Sequence, residues 1–123
     1  MYQMHQQRSV AYSADQMYAL VNDIRSYPDF IPYCSHSQII SDTPSEMVAT
    51  LTFSVATLSK TLTTKNKLLP GQKIQVTLVQ GPFKHLQGTW VFEAVDTKRC
   101  TVHLDFEFEF SVSWINRIFE PIF

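Results

Sequence analysis

The ten residues "TVHLDFEFEF" at positions 101 to 110 constrain the fold more than any other stretch. Val102, Leu104, Phe106, Phe108 and Phe110 fall on one side of an extended chain. His103, Asp105, Glu107 and Glu109 fall on the other. A strand this two-sided belongs to an antiparallel sheet with one buried and one wet face. The same period of two recurs upstream. Met47, Ala49, Leu51, Phe53 and Val55 alternate with polar or small residues, as do Ile74, Val76 and Leu78, and then Leu86, Gly88, Trp90 and Phe92. Pro44, "PGQK" at 70 to 73, Gly81-Pro82 and the stretch 96 to 99 supply short turns, which only antiparallel neighbours can use.

Two segments carry the helical period instead. Ser13, with Gln16 three residues on, has the spacing of a capping box. Met17, Leu20, Val21 and Ile24 then form an apolar face. This helix is expected to end before Pro28, because the residue ahead of a proline resists helical angles. Met4 to Tyr12 reads as a strand before it. At the end of the chain, "WINRIFEPIF" places Trp114, Ile115, Ile118, Phe119 and Ile122 at helical spacing. The expected order is strand, helix, a run of antiparallel strands, and a terminal helix. This is an α+β layout in one domain covering residues 1 to 123.

Composition narrows the function classes. Ten basic and eleven acidic residues give a net charge of −1, so no DNA partner is expected. No apolar run is long enough for a transmembrane segment. Cys34 and Cys100 lack CxxC spacing, and a reduced pair is a simpler reading than a disulfide between them. His5, His36, His85 and His103 lack metal-ligand spacing, so no metal is expected. The acids Asp105, Glu107 and Glu109 lie opposite the apolar row. They read as a solvated outer face paired with Lys60, Lys65 or Lys67 rather than as an acid/base pair. Cys34 reads as a partly buried free cysteine acting as a small apolar residue, and no catalytic residue is assigned.

"YSADQMYALVNDIRSYPDFIPYC", "SKTLTTKN", "QGPFKHLQGTWVF" and "HLDFEFEF" occur in this order. Together they resemble the bacterial ribosome-association toxin family, also called oligoketide cyclase/lipid transport proteins, whose mitochondrial relatives are the coenzyme Q-binding proteins. The resemblance runs from about residue 8 to the end. It implies a START-like helix-grip fold, in which a curved antiparallel sheet and short N-terminal helices wrap a long C-terminal helix around an apolar cavity. Family members continue further through that helix. The resemblance therefore implies that most of it is missing, and that the exposed apolar face is covered by a dimer contact or a bound ligand or else leaves the protein poorly stable.

On that basis Phe30, Ile31, Tyr33, Phe53, Leu78, Phe83, Trp90, Phe106, Phe108, Phe110 and Ile118 are expected to line or gate the cavity. In "SYPDFIPYC", at 26 to 34, Pro28 and Pro32 would stiffen the gating loop. The main expectation is a non-enzymatic protein of the bacterial cytoplasm that holds ubiquinone or a lipid and requires no cofactor. The alternative is a toxin that binds the large ribosomal subunit and is countered by a small ubiquitin-like antitoxin. In that case Lys60, Lys65, Lys67 and Lys84 are the candidate contacts to phosphates. A polyketide cyclase-like enzyme is the third reading. It requires acid/base groups inside the cavity, where the assigned positions are nearly all apolar.

Overall fold

The computed structural model describes residues 1–111. Seven strands form one sheet: β1 (Tyr2–Val10), β2 (Cys34–Thr43), β3 (Glu46–Val55), β4 (Leu58–Leu69), β5 (Lys73–Gln80), β6 (Phe83–Ala94) and β7 (Cys100–Phe110). The order across the curved sheet is β1-β7-β6-β5-β4-β3-β2, with every neighbouring pair antiparallel. Strands β2 to β7 form a meander, and β1 closes onto β7 with Met4 opposite Phe106 and Val10 opposite Cys100. The alternating run of 101 to 110 is thus an interior strand, with one face against the core and the other in water.

Helix α1 (Ala14–Asn22) and the short α2 (Tyr27–Phe30), joined by a single 3-10 turn at Ile24–Ser26, lie between β1 and β2 in the chain. The capping box at Ser13 forms as its spacing requires. Ser13 Oγ accepts from the Gln16 amide at 3.1 Å, and Gln16 Oε1 accepts from the Ser13 amide at 2.9 Å. No residue of α1 is fully buried, so the helix leans on its cap more than a core helix would. Ser13→Ala is expected to lower stability by about 1 kcal/mol, read as a shift in the urea midpoint at unchanged slope.

Four sequence expectations need correction. The first strand begins at Tyr2 and ends at Val10, two residues earlier than expected, because the chain must turn at Ala11-Tyr12 to reach the Ser13 cap. Strand β4 was not among the expected strands. Its inward positions run Leu62, Thr64, Asn66, Leu68, and the two polar residues break the alternation. Tyr27 adopts helical angles (φ −54°, ψ −38°) despite preceding Pro28, so the first proline sits inside α2 rather than in an extended loop. A proline in the first helical turn sacrifices only an amide that has no partner there anyway. The Tyr27 ring holds the position, with its hydroxyl donating to the Val21 carbonyl at 2.5 Å. Ile31, ahead of Pro32, is extended as expected. The fourth correction concerns the partners of the acidic residues and is given with the site. The terminal helix expected at 114 to 122 lies outside the described residues.

Candidate functional site

The concave side of the sheet and the inner face of α1 enclose a cavity of about 380 Å³. That volume lies within the range of small-molecule sites. The roof is Met17, Leu20 and Val21 of α1, followed by Ile24, Tyr27, Phe30 and Ile31. The floor is built by alternation in five strands: Leu51 and Phe53 from β3, Leu62, Thr64 and Asn66 from β4, Ile74 and Val76 from β5, Leu86 and Trp90 from β6, and Leu104 and Phe106 from β7. Leu20 and Phe30 are each 50% exposed, which puts them at the rim.

Gly88 shapes the floor. It sits directly opposite Phe106, and a Cβ there would lie 2.3 Å from the Phe106 Cγ. The glycine is present because the Phe106 ring lies flat over its backbone, a close approach and not a bulge, since the register runs through Gly88 unbroken.

The structure gathers five of the residues expected at the cavity, Phe30, Ile31, Phe53, Trp90 and Phe106, around this space. It places the others elsewhere. Phe83, Phe108 and Phe110 are buried in an aromatic cluster with Tyr2. Within it, Phe83 and Phe110 stack at 4.9 Å and Tyr2 stacks on Phe108 at 5.3 Å. Leu78 is half-buried beyond the cavity wall. Tyr33 is exposed in the turn after Pro32, in the left-handed region at φ 65°. Ile118 lies outside the described residues. The apolar face of α1 was legible in the sequence but was not assigned to the cavity, and its period was the signal that could have marked it as a roof. The polar pair Thr64 and Asn66 carried no such signal.

The convex face is where the acids sit, but not with the expected partners. Glu107 Oε1 accepts from His85 Nε2 at 2.8 Å and from Gln87 Nε2 at 2.6 Å. These two bonds, His85's first, hold the Glu107 carboxyl below its usual pKa. His5 pairs with Asp105, and His103 reaches Glu93 at 3.4 Å. Lys60, Lys65 and Lys67 stand on β4, separated from β7 by β5 and β6, so none is the neighbour of this acidic row. Lys65 instead meets Glu46 at 3.5 Å. Lys60 shares its side of β4 with Leu62 and lies opposite Phe53, so the lysine group is divided between two faces.

Because Glu107 is depressed when folded, its contribution to stability is present above its ordinary value of 4.5 and is lost as the pH falls through its folded pKa. Wild type should therefore exceed Glu107→Gln in urea midpoint at about pH 6, and the gap should shrink as the pH is lowered below 4.5. A gap that persists at low pH would contradict the pairing.

Both cysteines are free and buried, and burial pushes each thiol up. Cys34 Sγ lies 3.6 Å from the His36 backbone carbonyl, not from its ring, so among the described residues His36 is not positioned as a base to make a nucleophile of it. Burial likewise pushes the Tyr27 phenol up. Among the described residues, no group of three or more His, Cys, Asp or Glu could hold a metal ion. No helix among them is long and apolar enough to cross a membrane.

Comparison with known proteins adds four findings. Residues 10–123 match the model of a family described as polyketide cyclase / dehydrase and lipid transport. A ribosome association toxin of Vibrio cholerae is 46% identical over 123 residues, spanning 100% of this chain and 85% of that one. A mitochondrial coenzyme Q-binding protein homologue of Xenopus laevis is 26% identical over 105 residues, 82% of this chain and 43% of that one. Among solved structures, a START superfamily protein from Mycobacterium smegmatis superposes with a TM-score of 0.74 at 19% identity, covering 89% of this chain and 78% of its own.

Proposed function

The chain belongs to the polyketide cyclase / dehydrase and lipid transport family, and from that premise we propose that it associates with the ribosome, binding the large subunit and keeping it from joining the small one. The observation that carries this is the 46% identity, unbroken over the whole chain, to a protein named for ribosome association. The sequence reading had placed apolar-ligand binding first. The similarity to a ribosome-association toxin reverses that order. On this reading the protein works in the bacterial cytoplasm against a small ubiquitin-like antitoxin.

Lys65 and Lys67 of β4 and Lys73 of β5 share the convex face, and all three are exposed. They are the best-placed cations for ribosomal phosphates, with Lys84 at the start of β6 as an outlier. Co-sedimentation with purified large subunits tests this. Binding should weaken steeply with added salt and with Lys65→Glu/Lys67→Glu, as phosphate contacts do. Absence of co-sedimentation at low salt would overturn the reading.

A second reading is favoured by the cavity itself: the protein holds an apolar quinone- or lipid-like molecule without transforming it. Its support is a volume of about 380 Å³ with a wall of aliphatic and aromatic side chains. The polar side chains on the floor, Thr64 and Asn66, are neither acids nor bases, which supports binding over cyclisation chemistry. Organic extraction of the purified protein followed by mass spectrometry should recover such a molecule, and an empty extract would count against it.

A further inference from the structure

The chain has four histidines, and all of them stand on the convex face. His103 shares the outward side of β7 with Asp105, Glu107 and Glu109. His5 of β1 and His85 of β6 lie directly across from Asp105 and Glu109. His36 of β2 faces Thr52, which alternates with the cavity residues Leu51 and Phe53 of β3. Three of the four meet a carboxylate: His5 meets Asp105, His85 meets Glu107, and His103 meets Glu93. The permanent charges of the same strand face are few. Among the described residues, Lys65, Lys67 and Lys73 stand against Glu46, Glu93, Asp105, Glu107 and Glu109. With neutral histidines this side of the sheet therefore carries two negative charges, and with protonated histidines two positive ones. Lys84, at the bulge beside His85, adds one cation in either state.

We propose that the convex face is a proton-gated surface for ribosomal RNA, on which acidification from about pH 8 to about pH 6 strengthens association. This rests on the ribosome reading above and adds its regulation. Histidine is the one side chain that ordinarily changes charge in this interval, whereas RNA phosphates stay ionised throughout it. The surroundings of each histidine decide what its proton does. His5 has Asp105 across from it and Glu107 one step further along the same side of β7. His85 is bonded to Glu107, faces Glu109 across the ladder and has Lys84 beside it in the chain. His103 has Glu93 and Asp105 at hand, and Lys73 stands in its row two strands away, roughly 10 Å by the strand spacing. His36 faces the uncharged Thr52. Protonation thus turns three lone carboxylates into neutral ion pairs. The acids then cease to repel a phosphate backbone, and Lys65, Lys67 and Lys73 go on attracting it.

Co-sedimentation of the whole chain with purified large subunits at pH 6 and pH 8, at one fixed low salt concentration, tests this. Wild type should bind about tenfold more tightly at pH 6, because a face that repelled the phosphates now attracts them. The variant His5→Gln/His36→Gln/His85→Gln/His103→Gln should lose that difference and bind as wild type does at pH 8. A second variant approaches the question from the acids. Glu93→Gln/Asp105→Asn/Glu107→Gln removes the carboxylates that the histidines neutralise, so it should bind at pH 8 about as tightly as wild type at pH 6. Equal wild-type binding at the two pH values, or a difference that survives the histidine substitutions, would overturn the gating and leave ribosome association standing. Absence of co-sedimentation at either pH would overturn both.

Discussion

Phe53→Ala is expected to destabilise the protein by about 3–5 kcal/mol, the range for removing a buried aromatic ring. Phe53 is 2% exposed and faces the concave side of the sheet from β3, between Cys34 on β2 and Lys60 on β4. The cost should fall toward the upper end because the ring also forms part of the cavity floor. The space it vacates would merge with an existing void, so the surrounding side chains gain little by closing in. Since a domain of this size has only about 5–15 kcal/mol in hand, the variant should be close to unfolding at physiological temperature. Urea titration reads the loss as a lower midpoint. A loss under about 1 kcal/mol would mean that the ring is not packed as described.

Gly88→Ala should also destabilise, by about 1–3 kcal/mol, and here the sign is the informative part. Alanine in place of glycine within a strand ordinarily stabilises, by roughly 0.5–1 kcal/mol, because the unfolded chain loses freedom. At this position the new methyl would stand 2.3 to 2.5 Å from three carbons of the Phe106 ring. The ring must swing off the strand and into the cavity. Combining the change with Phe106→Leu should recover part of the loss, giving a coupling of about 0.5–3 kcal/mol between two contacting sites. Additive losses would show that the two residues do not meet. The same displacement should weaken binding of any cavity ligand, so one substitution reports on packing and on the site.

Much of this arrangement was visible in the residues themselves. The alternation of 102 to 110 located β7 and its buried face, and the Ser13/Gln16 spacing located the start of α1. A glycine inside a strand pattern signals either a bulge or a close approach, and at Gly88 it is the Phe106 ring that approaches. What escaped did so for identifiable reasons. Strand β4 hid behind Thr64 and Asn66, the two polar residues that the cavity places on its floor, so the local rule failed where the site is. The partners of Glu107 depended on sheet order, which sequence separation does not reveal. His85 lies 22 residues away and is adjacent, whereas the lysines of β4 lie two strands beyond. Tyr27 keeps helical angles against the steric preference imposed by Pro28, with its part-buried hydroxyl bonded to the Val21 carbonyl. The aromatic residues were legible as buried, but division into cavity wall (Phe53, Trp90, Phe106) and ring cluster (Phe83, Phe108, Phe110) required their positions along the strands.

Sucrose-gradient sedimentation of lysates from bacteria expressing this chain is the decisive test of ribosome association. Free large and small subunits should rise at the expense of joined ribosomes. Lys65→Glu/Lys67→Glu, which removes convex-face cations without touching the cavity, should restore much of the normal profile. An unchanged ratio of joined to free particles, in cells where the folded chain accumulates, would contradict the claim.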